Sequence, residues 1–383
     1  CWGDTYCIDN KCIPFGIGPA ELSKEDCDKL NLAGLFLPTL QCAWTGPPEG
    51  DAFPDHNNVL GTPIVGDFDL DHDPQTTRPS IVFVSYMGED GGKPAATSKG
   101  IVRVLDGNTC KQLYTLDGAT TVGSSPLALG DLDLAPDDRP EIVAHREGGG
   151  LVAFKYDPVA DSFGVHWIAT ANGAVDTTAA DINRWNGPSI IELDGDDHPE
   201  ILMSSLVYDH TGKRIADNLG YVNYAQGVFP FAADVDLDGK IELIDGNSVW
   251  EWTGSSWKEE AYVTTKNGVG HAAVADFGDF PVPGLPAGIA EVAVIRGGTA
   301  VIQDLSGKIV FGPIQLPSWP PGSTVGTGGP PTIGDFDGDG VPELAAAGRG
   351  AYSIFDIDCL ADPLPLGCHS PGVLWFRQSQ DFS

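Results

Sequence analysis

From residue 62 to the C-terminus, short apolar runs alternate with acidic turns rich in glycine and proline. Runs such as "TPIV", "SPLAL", "PSII" and "PPTI" precede a turn, and "SIVFV", "EIVAH" and "EVAVI" follow one. A third run comes next ("GIVRVLD", "GLVAFKY", "TAVIQDL", "AYSIFDI"), then a fourth after a further turn ("KQLYTL", "GVHWIA", "KIVFGP", "VLWFRQ"). All are too short for helices, rich in β-branched residues and bounded by Gly, Pro and Asp, so they predict strands. Four strands per unit, recurring along the chain, is the pattern of a β-propeller blade and predicts an all-β fold. The one helical pattern is "GPAELSKEDCDKLN" at 18–31, with Pro19 early and Ser23 with Asp26 as a capping pair.

The turns carry the candidate chemistry. In "PPTIGDFDGDGVPELAAAG", Asp335, Asp337 and Asp339 stand on alternate positions, followed by Gly340 and Glu343. Mutual repulsion makes this costly unless a cation sits among the carboxylates, and oxygens around a glycine turn suit a hard divalent ion. The pattern recurs at Asp234, Asp236, Asp238 and Glu242, and at Glu192, Asp194, Asp196 and Glu200, where Asp197 replaces the glycine. Asp131, Asp133, Asp137 and Glu141 match with two residues inserted; Asp67, Asp69, Asp71 and Asp73 match but have Ser80 in place of the closing acid. A sixth copy is degraded, with Asp276, Asp279 and a displaced Glu291. Successive copies begin 64, 61, 42, 42 and 59 residues apart.

These turns resemble the FG-GAP, or VCBS, repeats of the integrin α-subunit head and of many secreted bacterial proteins. The resemblance spans 56–383. It implies calcium as cofactor, held by the acids of the five better copies, on blades near 56–121, 122–178, 179–224, 225–267, 268–324 and 325–383. An EF-hand is the competing calcium loop. It needs an acid at its twelfth position and a helix on each side, but Ala346 and Met203 stand there in two copies, and Asp245 in a third lacks helical flanks. "TLQCAW" at 39–44 resembles a further outer strand, so the expected ring has seven blades with the last incomplete, a closed six-bladed ring being the runner-up. Residues 1–45 form a Cys-rich segment with the short helix and this closing strand; 46–383 form the propeller.

Composition narrows the partners. A formal net charge of −33 excludes a phosphate-binding surface, which needs Lys and Arg patches, and opposes anionic membranes. Eight cysteines point to an oxidising compartment, hence secretion or the cell surface. Cys359 and Cys368 flank "LADPLPLG" and are expected to pair, while the other six allow 15 connectivities. Zinc is the alternative for "CWGDTYCIDNKC", disfavoured because no two of its cysteines are separated by two residues. Cys1 as first residue points to an upstream segment that has been removed, and no apolar run nears the length of a membrane span.

No catalytic constellation stands out. H-E-x-x-H, G-x-S-x-G and the phosphate-loop pattern are missing, His145 and His166 are isolated, and Ser255 with Lys258 matches S-x-x-K inside an expected hairpin. Trp250, Trp252 and Trp257 present aromatic faces suited to sugars or, more simply, to core packing. The leading expectation is a binding or adhesion module for a protein or polysaccharide at the cell surface or in the extracellular matrix, with no nucleic acid and no membrane insertion. The alternatives are a lyase-like enzyme acting on acidic glycans and a structural subunit of an extracellular assembly, in which a partner completes the seventh blade.

Overall fold

The computed structural model describes residues 39–73, 76–88, 99–133, 139–178, 187–196, 198–216, 230–323 and 326–379, together with the strand backbone of 5–8 and 11–14. The expected helix at 18–31, most of the loop 88–100, and Asp137 and Asp197 lie outside these residues. Among the described residues there is no α-helix, only one 3-10 turn at Asp358–Leu360, and no helix long and apolar enough to cross a membrane. The fold is all-β.

The chain divides into two compact units, 25–224 and a second comprising 1–24 with 225–383. In the first unit lie three four-stranded antiparallel sheets, each in simple sequential order. The first sheet is Ile64–Gly66, Ser80–Tyr86, Lys99–Asp106 and Gln112–Val122. The second is Ala128–Gly130, Glu141–His145, Leu151–Asp157 and Ser162–Ile168. The third is Pro188–Ile191, Glu200–Met203, Leu206–Tyr208 and Arg214–Ala216. A two-stranded piece, Thr170–Ala171 with Ala174–Val175, accompanies them.

The second unit repeats the arrangement. Its fourth sheet is Phe231–Ala233, Glu242–Ile244, Val249–Trp252 and Trp257–Glu259. The fifth is His271–Ala275, Glu291–Arg296, Thr299–Gln303 and Ile309–Gln315, and the sixth Thr332–Gly334, Glu343–Gly348, Ala351–Phe355 and Val373–Gln378. The hairpin Thr5–Ile8 with Lys11–Pro14 registers Cys7 against Cys12.

Within each unit, consecutive sheets bury a shared face. Ile142, Ala144, Val152 and Phe154 of the second sheet pack with Val82, Val84, Val102 and Val104 of the first. The alternate residues Val143, Leu151 and Ala153 pack with Ile201, Met203 and Tyr208 of the third. The fifth sheet is covered in the same way, by Ile244 and Val249 on one face and by Leu344, Ala346 and Phe355 on the other. Burial on both faces explains why the second and third strands read as continuous apolar runs instead of alternating.

Residues 39–45 form no strand, which corrects the expected closing strand. Their polar and aromatic side chains tie them to the first sheet instead of a backbone ladder. Cys42 is disulfide-bonded to Cys110, the Trp44 indole donates to Gln112 Oε1 at 3.1 Å, and its ring meets Phe83 edge-on at 5.0 Å. The second disulfide among the described residues joins Cys359 to Cys368.

Candidate metal centre

Each acidic turn connects the first and second strands of one sheet, so the fold presents all six at the same place in the repeat. In five of them the closing glutamate accepts the backbone N–H of the residue after the first acid. The bonds are Leu132 to Glu141 (2.8 Å), Leu193 to Glu200 (2.9 Å), Val235 to Glu242 (2.9 Å), Phe277 to Glu291 (2.8 Å) and Phe336 to Glu343 (2.6 Å). Glu291, displaced in sequence, therefore occupies the closing position after all. The first sheet has Ser80 there and lacks the bond.

Within the turns, side-chain oxygens accept the loop's own backbone N–H groups. Asp234 Oδ2 and Asp335 Oδ2 each accept the N–H of the following glycine, Gly239 or Gly340, at 3.1 Å. Those glycines have φ of 89° and 92°, a conformation that side chains oppose. The third acids, Asp196, Asp238 and Asp339, accept the N–H two residues on, closing Asx turns. Replacing Gly340 by Ala places a Cβ in open space, so only the backbone is strained, at about 1–2 kcal/mol. Urea unfolding of Gly340→Ala is expected to show that loss with an unchanged m-value; an unaltered midpoint would show that the turn needs no left-handed residue.

Four turns gather carboxylates whose oxygens lie within 4.8 Å of one another: Asp335, Asp337, Asp339 and Glu343; Asp234, Asp236 and Glu242; Glu192, Asp194 and Glu200; and Asp131, Asp133 and Glu141. Asp196 and Asp238 fall outside their groups. Asp67, Asp69, Asp71 and Asp73 make no group of three among the described residues; most of their hydrogen bonds serve their own loop and nearby cations, and Asp69 Oδ1 is buried with no hydrogen-bond partner. Asp67 accepts from Asp69 N and Arg78 N, Asp71 from Thr76 Oγ1, and Asp69 Oδ2 lies 2.6 Å from Arg139 Nη2. Asp276, Asp279 and Glu291 likewise make no group of three among the described residues.

Three groups fit a hard cation: those at Glu192, Asp234 and Asp335. Their donors are all oxygen, and the closing acids are deeply buried, Glu200 at 4 %, Glu242 at 1 % and Glu343 at 2 % exposure. Asp234 Oδ1 is buried with no hydrogen-bond partner, an acceptor aimed at nothing the chain supplies. Burial pushes Glu242 up to about 9, against the bond from Val235 N and with the fourth-turn aspartates adding to it. Burial also pushes Glu200 and Glu343 up to about 7. A divalent ion would reverse those shifts by making the charged form the favoured one.

No nucleophile–base pair accompanies these groups among the described residues. Ser255 lies in the exposed turn between the paired Trp252 and Trp257, while Lys258 registers against Glu251. His145 is buried and His166 exposed. Trp252 and Trp257 are core residues with ring centroids 5.0 Å apart; Trp250 is half-buried beneath Lys266, whose Nζ is 5.7 Å from the ring centroid. Sequence reasoning missed Lys155, whose Nζ lies 2.7 Å from Asp133 Oδ2 and 2.8 Å from Glu141 Oε1. The signal was the strand register, which no local motif encodes.

No protein family model matches the chain, and no curated protein matches it. Among solved structures, it is similar to the V. cholerae biofilm matrix protein Bap1 (TM-score 0.42, 18 % identity, 89 % of this chain and 42 % of that one). It is also similar to rhamnogalacturonan lyase YesW (TM-score 0.43, 16 % identity, 79 % and 52 %) and to the exotype rhamnogalacturonan lyase YesX (0.44, 14 %, 82 % and 56 %). The chain spans about half the length of these structures.

Proposed function

We propose that the chain is a calcium-stabilised β-propeller of the FG-GAP/VCBS type that serves outside the cell as a binding or adhesion module, with no chemistry of its own. The observation that carries this reading is the recurrence of one oxygen-only carboxylate group at the same turn of the second, third, fourth and sixth sheets, without a nucleophile–base pair beside it among the described residues. Face-to-face packing of consecutive four-stranded sheets supports the propeller, with each sheet as one blade. The strand assigned to a seventh blade is not formed at 39–45, so the six sheets are the supported blades. Two disulfides support an oxidising environment. Calcium rigidifies each blade's first turn by coupling carboxylate neutralisation to folding; the partner is a surface protein or a polysaccharide.

The test is a broad glycan array probed with the intact chain, once in calcium and once in chelator. Binding that disappears with chelator is the expected result for a polysaccharide partner, and a silent array assigns the surface to a protein. Release of unsaturated oligosaccharides from acidic polysaccharides would overturn the reading in favour of a lyase.

A further inference from the structure

The second acidic turn departs from the others in a way that bears on how many ions the chain holds. Its Asp131, Asp133 and Glu141 form a group like those at Glu192 and Asp234. Here, however, the chain brings its own cation into the group. Lys155 Nζ lies 2.7 Å from Asp133 Oδ2 and 2.8 Å from Glu141 Oε1, the latter carboxylate fully buried. An ammonium at those distances contacts two of the three carboxylates that would have to ligate an ion at about 2.3–2.6 Å.

Strand register shows how it arrives. Lys155 sits on the third strand, one step beyond the pair Ile142 and Phe154, directly across from the closing acid. The same position elsewhere is acidic. It is Asp106 against Ser80 and Glu251 against Glu242, and one step beyond a registered pair it is Asp209, Asp304 and Asp356. Only the second sheet reverses the sign, and there the aspartate that caps the turn, Asp157, stands two residues further on. In the first sheet, which has no closing acid, Arg139 takes Asp69 at 2.6 Å and Arg78 takes Asp106 at 2.6 Å.

We infer that Lys155 replaces the metal ion in the second sheet, so that the turn at Asp131 is held by an internal ion pair and takes up no calcium. The inference rests on the calcium reading of the other turns. With the first turn also served by arginine and the fifth making no group of three among the described residues, the described turns left to hold an ion are those at Glu192, Asp234 and Asp335.

The test is calcium stoichiometry, by equilibrium dialysis with metal analysis, for the intact chain and for Lys155→Met. The substitution keeps most of the side chain's length, unbranched, and removes its charge. Lys155→Met is expected to bind one ion more than the wild type; an equal stoichiometry above zero in the two overturns the inference, whereas zero in both sinks the calcium reading on which it rests. Hydrogen exchange of the wild type provides a readout that needs no variant. Chelator is expected to accelerate exchange in Glu343–Gly348 and Glu242–Ile244 while leaving Glu141–His145 unchanged. Acceleration in Glu141–His145 would overturn the inference and leave the calcium reading standing.

Discussion

Chelation of calcium is expected to lower the chain's unfolding temperature, and to lower it more at pH 8 than at pH 5. An ion present at about 100 times its dissociation constant stabilises the folded state by about 2.7 kcal/mol per site. For a unit of this size that corresponds to roughly 5–10 °C. The pH dependence follows from the buried acids. Without metal, Glu242 titrates near 9 and Glu200 and Glu343 near 7, because burial disfavours their charged forms, whereas an unfolded glutamate titrates at about 4.3. A folded value raised above the unfolded one gives stability that is complete below the unfolded value and is lost as pH rises through the folded value. The metal-free protein therefore weakens between about pH 4.5 and pH 9. The calcium form, whose carboxylates are ionised and paired, does not. Thermal scans at several pH values, with calcium and with chelator, should give two curves that diverge with rising pH. Parallel curves, or curves that converge, would show that these glutamates do not hold the ion.

The second large effect is expected at a buried ion pair of the first sheet. Arg103 is completely buried in the first sheet, and its Nη1 lies 2.7 Å from Asp51 Oδ2. Ser85 Oγ, Thr115 Oγ1 and the Phe53 carbonyl accept three more of its N–H groups at 2.7–3.1 Å, and Gln112 Nε2 donates to Asp51 at 2.8 Å. Every charge is paired, so the network costs little as built and much when broken. Burial alone would raise the Asp51 carboxyl, but hydrogen bonds from Arg103, the Phe53 N–H and Thr115, with the Arg103 charge, together outweigh it and hold the group at about 2. A folded value depressed in this way gives stability that is complete above the unfolded value, about 3.9, and is lost as pH falls towards 2. Arg103→Met should cost about 3–5 kcal/mol by leaving the Asp51 charge buried without its counter-ion. Adding Asp51→Asn should recover part of that cost, so the double variant falls short of the summed losses in a denaturant-unfolding cycle. Calcium should rescue neither variant. Strict additivity would mean that Asp51 and Arg103 do not interact.

The acidic turns were legible because everything that makes them is local: alternate carboxylates, a glycine in the left-handed region and an acid at the head of the next strand, all within nine residues at Asp335. The strands were legible for a similar reason, since runs buried on both faces leave an unbroken apolar signature. At 39–45 the same reading failed. "TLQCAW" has the composition of a strand, but a disulfide across 68 positions and an indole hydrogen bond settle its conformation.

Spacing along the chain misled at Glu291. Fourteen residues separate it from Phe277, yet it accepts that residue's N–H as the other closing acids do. The insertion packs Val282 and Ile289 against the fourth and fifth sheets and leaves the strand ends where they were.

By itself, then, the sequence determined the all-β class, the repeat, the four strands in each unit and the turns rich in carboxylate oxygens, because propensity and spacing act over a few residues. The tertiary structure decided which turns have carboxylates left to offer a metal. Lys155 reaches Glu141 across a hairpin and Arg139 reaches Asp69 from 70 residues away. Charge balance inside a turn is set by whatever the register of neighbouring strands brings within about 3 Å, and register is a property of the packed sheets.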